Sequence, residues 1–265
     1  MCFEFDARPP ALPADLVRPV AGGAKAELLE LESADGTRFS TALAGSADGG
    51  DVGVVILPDV RGLYRFYIEL AERFAEAGRH AIAIDYFGRT AGVGERDEEF
   101  DFWPHVTETK PDQIQADIAA AIDALKERTG ADSVVTVGFC FGGLQSFLAD
   151  TNGELDLAGA VGFYAGLNTE ERWGIKSPVE RTADMRGPIL GLFGGADEGI
   201  PVERVQELER NLESDGVEHE IKVYEGAPHS FFDRKYEEYA DACADAWRRV
   251  LGFLQGVEDR VRSAQ

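Results

Sequence analysis

Lysine is the scarcest of the charged residues, at six in 265, and histidine (four), cysteine (three) and methionine (two) are scarcer still. With only 26 basic against 49 acidic residues, the formal charge is −23. A surface this anionic repels phosphate backbones and anionic lipids, so neither nucleic acid nor a membrane is expected as a partner. Arginine supplies 20 of the basic residues, a bias that fits either a high-salt habitat or a GC-rich genome. Cys2, Cys140 and Cys243 lie far apart without C-x-x-C spacing. That excludes a disulfide framework and a zinc site as expectations and fits a reducing compartment. No run reaches the roughly 18 to 20 apolar residues of a membrane span, and the opening MCFEFDARPP lacks a basic region followed by an apolar one. The chain therefore reads as soluble and cytoplasmic. There is no G-x-x-x-x-G-K-[ST] loop, and GFCFGG carries Cys140 where G-x-G-x-x-G requires glycine, so no nucleotide cofactor and no metal are expected.

What is present is a 44% apolar chain long enough for a sizeable core. After an irregular, proline-rich lead-in over 1–24, AELLELES (26–33) and GTRFSTAL (36–43) alternate as a β-hairpin. Short apolar runs then alternate with helical patterns. Strands are predicted at 52–58, 80–88, 133–139, 157–164, 188–195 and 219–226, and helices at 66–78, 111–130, from 141, at 202–214 and at 235–254. This order predicts right-handed crossovers and a mostly parallel sheet covered on both faces, within a single α/β domain spanning 1–265. Two longer connections, 90–110 and 166–186, leave strand ends where such sheets bind ligands, and neither is long enough for a cap domain.

Three reactive residue types fall at three such strand ends. Cys140 sits in Gly138-Phe139-Cys140-Phe141-Gly142, between a β-branched strand and a helix, where the glycines permit a sharp turn that presents the central side chain. A helix N-terminus also favours a thiolate. Asp197 follows the strand ending near Phe193, and His229 follows the one ending near Tyr224. Nucleophile, acid, histidine is the chain order of the α/β-hydrolase arrangement. Each residue has a plainer reading: a small buried cysteine, an aspartate capping the helix near Pro201, a histidine in a turn. The joint placement favours chemistry over three coincidences. His80, His105 and His219 follow no predicted strand and read as surface or structural, and Cys243 is spaced for the apolar face of the last helix.

Together GFCFGG, FGGAD, GAPHSF, LPDVRGL and IDYFGR resemble the dienelactone hydrolase family, cysteine members of the α/β-hydrolase fold that act in aromatic compound degradation, over roughly 52–254. The resemblance implies Cys140 as nucleophile, His229 as general base, Asp197 as its orienting acid, and an oxyanion hole from the backbone N–H groups of Val60 and Phe141. It implies substrate-binding or nucleophile-tuning positions at Asp59, Arg61, Arg89 and Ser230, with Arg89 holding a substrate carboxylate. This chain departs from the family in having Asp59 where glutamate is usual. It also has Asp233, followed by Arg234, where a second family arginine stands.

A thiol needs less activation than a serine hydroxyl, but thiolate is also expelled easily from a tetrahedral intermediate. Cysteine therefore suits esters with good leaving groups, such as enol or phenol esters. The expected activity is hydrolysis of a dienelactone-like or related activated ester by a monomer or small homo-oligomer. The alternatives are a general carboxylesterase or thioesterase, and a ligand-binding or redox-sensing protein built around Cys140.

Overall fold

A computed structural model describes residues 6–18, 24–46, 49–233 and 235–264. Cys2 and Arg234 lie outside the described residues. Strands β1 (Glu27–Glu32) and β2 (Arg38–Ala44) form the antiparallel hairpin, closed by the turn at Gly36 with φ +80°. There follow β3 (Val52–Leu57), α1 (Arg65–Glu76), β4 (Ala81–Ile84), the short α2 (Gly88–Ala91), α3 (Phe102–Glu108), α4 (Pro111–Thr129), β5 (Ser133–Phe139) and α5 (Phe141–Asp150). The chain continues through β6 (Gly159–Phe163), the short α6 (Glu170–Trp173), β7 (Ile189–Gly194), α7 (Val202–Ser214), β8 (His219–Tyr224) and α8 (Ala240–Ala264).

All eight strands join one sheet in the order β1-β2-β4-β3-β5-β6-β7-β8. β2 pairs antiparallel with β4, and every pairing from β4 across to β8 is parallel. This is the α/β-hydrolase fold expected from the sequence. The central strands are apolar on both faces because each face is roofed by helices. Along β3, Val52, Val54 and Ile56 join a core with Leu70 and Phe74 of α1 and Trp247 of α8, whereas Val55 and Leu57 join one with Ile118 and Leu125 of α4. The period-two alternation of a strand thus feeds two cores at once.

Two boundaries differ from the sequence expectation. β4 stops at Ile84, not Gly88, because the Asp85 carboxylate takes the backbone N–H groups of Leu63 and Phe87, drawing the chain into a turn. α8 begins at Ala240, not near Lys235, and runs on to Ala264, its buried stripe extending through Val250, Leu254 and Val257. Among the described residues no helix is long and apolar enough to cross a membrane.

Candidate active site

The parallel strands deliver their following loops to one edge of the sheet, and Cys140 stands there as the N-cap of α5, with φ +54° and ψ −109°. Only a few per cent of non-glycine residues adopt positive φ, so the turn holds real strain. The neighbouring glycines explain why it persists. A Cβ on Gly138 would lie 2.0 Å from the Gly142 carbonyl oxygen, and one on Gly142 would lie 2.0 Å from that of Leu57 and 2.3 Å from that of Pro58. The start of α5 is therefore pressed directly against the loop after β3. Cys140 is also tied to the next strand end: its N–H donates to the Phe163 carbonyl (3.0 Å), and its carbonyl accepts from the Gly166 N–H (3.2 Å).

Asp197 and His229 are joined directly, with Nδ1 of His229 2.6 Å from Oδ2 of Asp197. In a neutral ring a carboxylate at that distance favours the proton on Nδ1, which leaves the Nε2 lone pair uncommitted to Asp197. The other Asp197 oxygen accepts from the N–H groups of Gly199 (2.9 Å) and Ile200 (3.2 Å). Asp197 therefore does not cap α7, whose N-cap is Pro201 with no side-chain cap hydrogen bond; one oxygen closes the turn before that helix and the other meets His229. The two loops are also tied by their backbones, through Gly195 N–H to the Tyr224 carbonyl and Ala196 N–H to that of Ala227. Asp197 is buried, and the His229 side chain keeps 26% of its surface exposed.

Tyr164, at φ +36° just beyond β6, packs its ring on His229 at 5.0 Å between centroids. The stretch from Tyr164 to Gly166 therefore touches His229 at one end and Cys140 at the other. Sequence reasoning did not single out Tyr164, although its place at a strand end was legible. Rings from three segments meet beside the nucleophile turn. Phe141 packs against Tyr86 (5.3 Å) and Trp173 (6.0 Å), and the Trp173 indole N–H donates to the Thr109 carbonyl, linking the two segments.

The loop after β3 is pinned at each residue around Val60. The Tyr86 hydroxyl donates to the Pro58 carbonyl (2.9 Å), the Asp59 N–H donates to the Tyr67 hydroxyl oxygen (2.9 Å), and the Asp59 carboxylate accepts from the Arg61 N–H (2.9 Å). Val60 and Phe141, the two proposed oxyanion donors, thus sit on segments in backbone contact. As the first residue of α5, Phe141 has an N–H without an acceptor within its own helix.

Asp59, Arg61 and Asp233 form a buried group, with the Arg61 guanidinium donating to both oxygens of Asp59 and to Asp233. Arg61 has no exposed surface, and its guanidinium lies 3.8 Å over the Tyr64 ring. Burial opposes its charge, but the Asp59 carboxylate, helped by Tyr64 and Asp233, holds its pKa above that of an ordinary arginine. The Tyr64 hydroxyl donates to Asp233 as well (3.3 Å). Burial, then the Asp233 and Asp59 charges, push the Tyr64 phenol well up, so it remains a donor. Ser230, beside His229, is buried at φ +60°.

Arg89 is the correction. Although it matches the family motif, α2 lies against the start of β2, and Arg89 donates to both oxygens of Asp117 on α4 (2.7 and 3.0 Å), to Asp35 in the hairpin turn (2.8 Å) and to Ser33. β2 stands three places from the β5 strand that leads into Cys140. The guanidinium is thus a structural tie between hairpin and helix. The remaining histidines have structural surroundings: His80 lies against Gly45 and Gly49, His105 stacks on Phe100, and His219 contacts the Val217 carbonyl. Cys243 is buried on α8, where burial raises its thiol to about 12. Among the described residues no cluster of His, Cys, Asp and Glu could hold a metal ion.

Comparison with known proteins agrees with this fold. A "Putative carboxymethylenebutenolidase" of Methylorubrum extorquens is 27% identical over 214 residues, covering 79% of this chain and 74% of that protein. A protein of the same name in Escherichia coli K12 is 29% identical over 214 residues, covering 79% and 78%. The crystal structure of a "Putative Dienelactone Hydrolase" from Klebsiella pneumoniae superimposes with a TM-score of 0.73 at 25% identity, covering 86% of this chain and 99% of that one. The family model described as "Dienelactone hydrolase family" matches residues 39–257. The chain belongs to the dienelactone hydrolase family, and is a hydrolase of ester or lactone bonds.

Proposed function

We propose that the chain hydrolyses activated esters or lactones through a Cys140-His229-Asp197 triad and a thioester intermediate. The observation that carries this reading is the 2.6 Å bond of His229 to Asp197, on loops that converge with the positive-φ turn bearing Cys140.

In the reaction, Nε2 of His229 takes the Cys140 proton and the sulfur forms a bond to the substrate carbonyl carbon. The carbonyl π pair moves onto oxygen, where the N–H groups of Val60 and Phe141 receive the negative charge. Collapse of this intermediate breaks the bond to the leaving oxygen, which takes the proton from Nε2 and leaves the acyl group on sulfur. Water then adds to the thioester with His229 accepting its proton, and the sulfur departs as the acid is formed. Asp197 orients His229 and stabilises the imidazolium.

Because thiolate competes with the substrate's own leaving group, enol and aryl esters should turn over far faster than alkyl esters. Purified protein is assayed against 4-nitrophenyl and ethyl esters of one acid, with Cys140→Ala as the control. Turnover of the aryl ester that vanishes in a folded Ala variant supports the reading. Undiminished turnover in that variant contradicts it.

A further inference from the structure

A carboxylate on the substrate needs a cation with donors to spare, and the arginines that follow β3 and β4 are already committed. Arg61 is enclosed by Asp59 and Asp233, so the buried group beside the oxyanion loop carries two carboxylates for one guanidinium. Arg89 is held by Asp117 and Asp35. Arg96 is buried against Asp85 and donates to the Gly92 carbonyl. The first two groups each sum to −1 and the third to zero, within a chain of −23. Phe141, the residue after Cys140, packs its ring with those of Tyr86 and Trp173.

We propose that the substrate's acyl part is uncharged: an apolar or aromatic activated ester, not a carboxylate-bearing lactone. The inference rests on the hydrolase reading above and adds the substrate class to it. The motif arginine serves the fold, and the cation next to the oxyanion loop is the centre of an Asp-Arg-Asp group. A substrate carboxylate would meet net negative charge at the place where it needs positive charge. At a separation of roughly 7 Å and an effective dielectric near 20, that repulsion alone amounts to about a 50-fold penalty.

The test compares methyl 4-nitrophenyl adipate with 4-nitrophenyl hydrogen adipate, which differ in a single terminal carboxylate. The neutral ester should have the higher kcat/KM by ~30-fold or more. In Asp233→Asn, which removes one of the two carboxylates around Arg61 and leaves the group neutral, the ratio should fall by most of that penalty, ~30-fold or more. Equal rates, or preference for the acid, in the wild-type enzyme would overturn the inference without any variant having to fold. Failure to cleave either ester above the Cys140→Ala level would bring down the hydrolase reading itself, and this inference with it.

Discussion

Gly142→Ala is the perturbation whose consequence the geometry fixes most tightly. The new methyl carbon would start 2.0 Å from the Leu57 carbonyl oxygen and 2.3 Å from that of Pro58, where ordinary contact begins at 3.4 Å. Both obstacles are backbone, so neither can rotate away. α5 and the loop after β3 must separate by more than about 1 Å, at a cost of about 3 kcal/mol, the upper part of the range for overpacked sites. For a domain of this size that lowers the melting temperature by roughly 6 to 12 °C. The same displacement parts the N–H groups of Val60 and Phe141, and misplacement of about 1 Å costs on the order of 100-fold in rate. Gly252→Ala is the control, because nothing lies within 4 Å of its added carbon on α8. It should gain up to about 1 kcal/mol of helix propensity and leave kcat/KM unchanged. Differential scanning fluorimetry and an aryl-ester assay on both variants suffice. A Gly142→Ala enzyme with wild-type melting temperature and rate would refute the reasoning.

Asp197→Asn keeps an oxygen for the Gly199 and Ile200 N–H groups but sets an amide donor against Nδ1 of His229, so kcat should fall ~10³- to 10⁴-fold with little change in melting temperature. Asp150 is buried with Oδ2 accepting from the Arg186 and Gly187 N–H groups, and burial raises its pKa. A raised folded pKa means its contribution is full below the unfolded value and is lost as pH rises through the folded one. Asp150→Asn should therefore melt higher than wild type at pH 7.5, with the gain shrinking as pH falls towards 4; a constant difference across that range would contradict the burial argument. Cys243, with its thiol raised to about 12, should resist iodoacetamide at pH 8 until the chain is unfolded, while Cys140 reacts in the native protein. Peptide mapping after timed alkylation reads both.

The fold was legible because each central strand is a short apolar run bounded by helical periodicity, and the order of those runs leaves few topologies open. The proposed triad residues could be picked out because strand ends, glycine-flanked turns and residue type are all local features. The ion pairs of Arg89 were illegible for the opposite reason. Its motif is local, but its partners Asp117 and Asp35 lie 28 and 54 residues away, and only the packing of α2 and α4 onto the hairpin shows that they claim it. The Asp59-Arg61-Asp233 group spans 172 residues from Arg61 to Asp233, so its local pair could be seen in the sequence and its third member could not. The end of β4 was missed where a single side chain, that of Asp85, redirects the backbone.

The central claim is that the acyl group passes through the sulfur of Cys140. Acid quenching of the enzyme within milliseconds of mixing with an aryl ester, followed by peptide mass spectrometry, tests it directly. The account predicts one acyl mass on the peptide containing Cys140, chased away by further incubation and absent in Cys140→Ala. Steady turnover with no acyl-Cys140 at any quench time, or with the acyl group on another residue, would contradict it.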